Sequence, residues 1–187
     1  MRNPSFITIS PGFCILIAFS LLVLPIQWVL GWLLAAAVHE SFHLLMLNLL
    51  RVKVYSVRLE GFGTIISTDS MDPIHEFLCA IAGPIGALTL LLFIRVYPQL
   101  AISALFQSVY NFLPFYPFDG GRALKSALQC KYEELRAERI TTVIAGIALG
   151  VLIVGGLIVA VWYRLGFIPV LLSVFPVAYC KNSLQRK

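Results

Sequence analysis

A chain of 187 residues that is 59% hydrophobic and only 12% charged, with a mean hydropathy of +0.90, reads as a multi-span membrane protein with no room for a second sizeable soluble domain. Its formal net charge of +5 is spread over short loops and forms neither a stripe nor a dense cluster with stacking aromatics, which argues against nucleic acid as a partner. Four cysteines, Cys14, Cys79, Cys130 and Cys180, show no C-x-x-C spacing, so neither a disulfide framework nor a cysteine metal site is expected.

The expected fold is an all-α polytopic membrane protein of about six transmembrane helices with a small membrane-surface β-hairpin between spans two and three. Arg2 before an apolar stretch resembles a signal peptide, but no small-x-small site precedes a polar region, so a retained first span is expected. From Pro11 to Leu50 the apolar run is almost unbroken. As one helix it would measure about 60 Å against a hydrocarbon core of about 30 Å, so it must fold back once. Pro25, Gln27 and Gly31 mark the turn, giving span one near residues 9–25 and span two near 28–50. Between Arg51 and Ser67, Val52/Val54 and Val57/Leu59 alternate with charged partners and Gly61-Phe62-Gly63 supplies a turn, the pattern of a hairpin. Span three runs from Ile74 to Ile94 and contains Ala82-Gly83-Pro84 and Gly86, small residues that allow close helix approach. Span four runs from about Leu100 to Phe115. The mixed-charge stretch Arg122 to Arg139 reads as an amphipathic surface helix or a solvated loop, and Ile140 to Trp162 and Gly166 to Tyr179 complete six spans.

Six spans put both ends on one side. Arg2, Arg51, Lys53, Arg58, Arg122, Lys125, Lys131, Arg136, Arg139, Lys181, Arg186 and Lys187 then fall together, with only Arg95 and Arg164 opposite. That asymmetry predicts a multi-pass cell-membrane protein with both termini and the hairpin cytoplasmic, and with Cys130 and Cys180 on that side; a bacterial source is expected. It also places His39 and His43 in the cytoplasmic half of span two and Asp119 at the cytoplasmic end of span four.

His39-Glu40-Ser41-Phe42-His43 carries the chemistry. Residues four apart stand one above the other on a helix, so His39 and His43 can ligate one Zn²⁺ while Glu40 faces the attacking water. Burying two imidazoles and a carboxylate in hydrocarbon costs several kcal/mol, which makes such residues functional by default. Catalytic zinc takes three protein ligands. Of the three aspartates, Asp69 and Asp72 belong to a loop, whereas Asp119 follows an apolar stretch containing Pro114 and Pro117, whose backbone departs from a regular helix as it does where chain lines a cavity. Asp119 is therefore the expected third ligand, with Gly120 and Gly121 permitting close approach.

These segments, H-E-S-F-H, A-G-P-x-G and N-F-L-P-F-Y-P-F-D-G-G-R, resemble the site-2 protease family of intramembrane zinc metalloproteases over most of residues 30–130. The hairpin R-V-K-V-Y-S-V-R-L-E-G-F-G-T and the six-span arrangement most resemble the stage IV sporulation branch, whose known member processes pro-sigma-K. The resemblance implies one catalytic Zn²⁺ held by His39, His43 and Asp119, Glu40 as catalytic base, and Asn111 and Pro114 in the segment that positions substrate. It implies one metalloprotease domain over residues 1–187, with a catalytic core at about 28–130 and extra spans at 140–180, and membrane-embedded or membrane-tethered protein substrates. There is no room for the PDZ domain of one branch or the CBS domain of the sporulation branch. Ala87 stands where many relatives carry a polar residue.

Peptide hydrolysis also follows from the residues alone: zinc activates water and polarises the carbonyl, and Glu40 takes the proton and hands it to the leaving nitrogen. A substrate helix must unwind first, and the hairpin from Val52 to Ile66 could receive it as an added strand. A non-hydrolytic metal-binding membrane scaffold or transporter is the alternative, but spans one, five and six offer almost no charge for a polar path. His75, beside Glu76 at a span entrance, reads as an interfacial residue.

Overall fold

The computed structural model describes residues 6–163 apart from 62 and 117, and the chain divides into two compact units, Met1–Tyr110 and Asn111–Lys187. The expected sixth span, Arg2, Pro117, Arg164 and Cys180 lie outside the described residues.

In the first unit a short strand, β1 (Ile7–Ile9), precedes α1 (Pro11–Val23). Ser10 caps α1 by accepting from the Phe13 N–H at 3.3 Å, and Pro11 fits the first turn, where its missing N–H has no partner to lose. Leu24 is extended at φ −114 and ψ 147 because the following Pro25 disfavours helical geometry there. The break in the long apolar run therefore falls at Leu24–Pro25. α1, with 13 residues, spans only about 20 Å, shorter than the first span expected near 9–25, because Ile9 belongs to β1, Ser10 caps the helix and Pro25 ends it.

α2 (Ile26–Leu49) is about 36 Å long. Its buried face runs Gly31, Ala35, His39, His43 and Leu47, one residue every four. α3 (Pro73–Leu88) is capped by Asp72, which accepts from the His75 N–H, and tightens into a 3-10 turn over Thr89–Phe93. α4 (Pro98–Asn111) follows. Ala35, Leu90, Leu100 and Ala104 form the core of this unit, with Val38 and Tyr97 against it. A Cβ at Gly31 would lie 3.1 Å from the Gln99 and Leu100 backbone, so glycine lets α2 and α4 approach closely. Polar side chains tie the helices together: the Ser108 hydroxyl donates to the Pro84 carbonyl at 3.0 Å and the Gln107 amide to the Trp32 carbonyl at 2.8 Å.

The hairpin of β2 (Val54–Glu60) and β3 (Gly63–Thr68) forms as expected, antiparallel with Val57 opposite Ile66. It gains a third strand, since β1 pairs in parallel with β2, Ile7 opposite Val57. The order β1-β2-β3 puts β2 in the centre, with Val57 buried. Tyr55 donates to Asp69 at 2.6 Å, which holds its phenol above the usual value.

The second unit holds α5 (Asp119–Gln129) and α6 (Glu134–Tyr163), packed on each other. The mixed-charge stretch forms α5 and the first turns of α6, so α6 begins six residues before the expected Ile140. Its 30 residues extend about 45 Å. The fourth span expected to reach Phe115 instead ends at Asn111, as α4 is only 14 residues long. Residues 112–116 turn where Pro114 cannot donate a helical hydrogen bond. Among the described residues three helices are long and apolar enough to cross a membrane, Ile26–Leu49, Pro73–Phe93 and Glu134–Ile158.

Candidate metal centre

His39 and His43 occupy consecutive positions of the buried α2 stripe, each 4% exposed. Their rings meet edge to face, with centroids 4.8 Å apart, planes at 76° and Nε2 atoms 3.1 Å apart. The His43 Nδ1 lies 2.8 Å from the Cys79 carbonyl oxygen, which can only accept, so Nδ1 carries the proton and Nε2 the lone pair. That tautomer is the one a metal ligand needs. Two nitrogens bound to one tetrahedral zinc at about 2.0–2.1 Å stand about 3.3 Å apart, so the observed pair is spaced for a shared ion. Glu40 follows His39 in α2 and is half-buried.

α3 supplies the wall of this pocket. A Cβ at Gly83 would overlap His43 Nε2 and come within 2.8 Å of His39 Nε2, and one at Gly86 would overlap the Phe42 ring. Glycine at both positions brings α3 onto the motif face of α2. We expect Gly83→Ala to lower zinc per protein severalfold while circular dichroism stays unchanged, because the added methyl displaces both imidazoles from their lone-pair geometry. Wild-type zinc in that variant would show that the rings relocate freely.

In the second unit Asp119 opens α5 and is buried. The Arg122 guanidinium stands 3.6 Å from Asp119 Oδ1 one turn later and restrains the carboxylate. A Cβ at Gly120 would overlap the Phe112 carbonyl, and one at Gly121 the Phe115 backbone. The two glycines thus let the 112–116 turn lie directly on the first turn of α5. Asn111 closes α4, and Pro114 sits half-buried in that turn.

His39, His43 and Asp119 are buried, and each offers one ligand atom. Imidazole and carboxylate are the donor types that catalytic zinc takes, so the chemistry of these residues fits the ion. Sequence reasoning proposed His39, His43 and Asp119 as donors and marked Gly83 as a point of close helix approach, but missed the Cys79 carbonyl beside His43 and the Arg122 guanidinium beside Asp119. Of these two, Arg122 left a signal in its i, i+3 spacing from Asp119, and the Cys79 carbonyl left none.

Three helices long and apolar enough to cross a membrane among the described residues, one of them carrying a buried imidazole pair, mark a membrane protein with a candidate metal centre. No family model matches the chain. It is 26% identical over 178 residues to a zinc metalloprotease of Methanocaldococcus jannaschii, an alignment covering 86% of this chain and 51% of that protein. The chain thus spans about half the length of the curated relative it matches. It shares the fold of the site-2 protease from the same organism, with a TM-score of 0.62 and 20% identity over 97% of this chain and 93% of the solved one.

Proposed function

We propose that this protein is an intramembrane zinc endopeptidase that hydrolyses a peptide bond of membrane-embedded or membrane-tethered proteins. One observation carries the reading: the buried His39 and His43 pair, with His43 Nδ1 held by the Cys79 carbonyl and the two Nε2 atoms 3.1 Å apart. The likeness to a zinc metalloprotease supports it. In this reading His39, His43 and Asp119 hold the ion and Glu40 is the catalytic base. Bound zinc would polarise the scissile carbonyl and bring the pKa of water down to about 7. The Glu40 carboxylate accepts the proton of the attacking water and delivers it to the amide nitrogen as the C–N bond breaks. The apolar walls on α2 and α3 keep other water away.

Asn111 and Pro114 are proposed to position the substrate, because the turn after α4 leaves backbone outside helical hydrogen bonding. An extended client would add to an outer edge of the sheet, at β3 or β1, since both sides of β2 are taken by β1 and β3. By the resemblance to the sporulation branch, the client we favour is a membrane-tethered transcription-factor precursor. The distribution of Lys and Arg supports cytoplasmic termini. The test offers purified protein in lipid a single-span substrate with its cytoplasmic flank and the same flank as a soluble peptide. Zinc-dependent cleavage of the first, much faster than of the second, is expected. Equal cleavage of both would remove the intramembrane-client reading.

A further inference from the structure

We propose that the turn between α5 and α6 and the first turns of α6 form a binding surface for anionic phospholipid headgroups. Two cations flank one ring there: Lys131 Nζ lies 5.7 Å from the Tyr132 centroid and Arg136 Cζ 5.5 Å. Arg139 follows one turn later, and all three cations are exposed. Successive helical residues turn by about 100°, so Arg136, Arg139 and Val143 share a face about 60° wide, while Glu134 and Glu138 lie about 160° from Arg136. Those two carboxylates are taken by Lys125 of α5, at 3.6 and 3.7 Å. The charges are therefore sorted, with acids turned to α5 and cations outward. Glu133, also exposed, leaves the outward cluster with three cations against one carboxylate.

The height of the cluster on α6 identifies its partner. Residues 140–161 are apolar and measure about 33 Å as helix, close to a hydrocarbon core of about 30 Å. Trp162, 80% exposed, ends this stretch at one side, and Arg139 ends it at the other. Lys131, Tyr132, Arg136 and Arg139 then stand at the level of the lipid phosphates. A cationic cluster with an aromatic ring at that depth suits a phosphodiester headgroup carrying net negative charge.

The experiment measures association of spin-labelled phosphatidylglycerol against spin-labelled phosphatidylcholine for the full chain in phosphatidylcholine bilayers at low salt. Wild type is expected to prefer phosphatidylglycerol. Each of Lys131→Gln, Arg136→Gln and Arg139→Gln should lower that preference by up to about fivefold, and the triple variant should lose it. Arg95→Gln, which lies outside the cluster, and the charge-keeping set Lys131→Arg, Arg136→Lys and Arg139→Lys should retain it. No preference in wild type, an unchanged preference in the triple glutamine variant, or its loss in the charge-keeping set would overturn the proposal. So would equal competition by millimolar inorganic phosphate, which would mark a site for soluble phosphate.

Discussion

Glu40→Gln is expected to leave zinc content at the wild-type level while cleavage of a membrane substrate falls by about a hundred- to ten-thousandfold. The side chain keeps its size and a carbonyl oxygen, so packing around α2 is undisturbed. It loses the basic carboxylate that accepts and returns the proton. Neither His39 nor His43 changes, and the His43 tautomer is still set by the Cys79 carbonyl at 2.8 Å, so the donors remain in place. Metal analysis and cleavage on the same preparation separate the roles. Cleavage within a few-fold of wild type would sink the hydrolytic mechanism, and loss of zinc would recast Glu40 as a ligand.

Asp119→Asn should act on the metal itself. Asparagine preserves shape but removes the negative charge, so we expect zinc affinity to drop more than a hundredfold and cleavage to fall with it. Arg122 sits 3.6 Å from Asp119 Oδ1 and would then face a neutral amide. Arg122→Gln keeps the carboxylate but frees it to rotate, and should lose about ten- to a hundredfold in affinity. Excess zinc should restore Arg122→Gln more readily than Asp119→Asn. Normal zinc and normal cleavage in Asp119→Asn would take Asp119 out of the site.

The elements legible in the sequence were those set by local chemistry. Pro25 forces Leu24 out of the helical region wherever the chain goes, so the break in the first apolar run could be placed closely. Alternation and the Gly61–Gly63 turn likewise marked the hairpin of β2 and β3. The pairing of β1 with β2 was not legible, because three residues of apolar sequence before a helix look the same whether they extend the helix or enter a sheet. The end of α4 was misjudged because hydropathy follows burial in lipid, while helix ends follow backbone hydrogen bonds, here around Pro114.

The sequence by itself determined the membrane class, the four-residue spacing that puts His39 and His43 on one face of α2, and the choice of Asp119 as the carboxylate to test. These follow from composition and helical period, which act within a few residues. What only the tertiary structure decided is how the pair is held. The Cys79 carbonyl, 36 positions from His43, fixes the tautomer, and Gly83 leaves the volume the two Nε2 atoms occupy. Hydrogen bonds and excluded volume between α2 and α3 are long-range in the chain, so they exist only once those helices have packed.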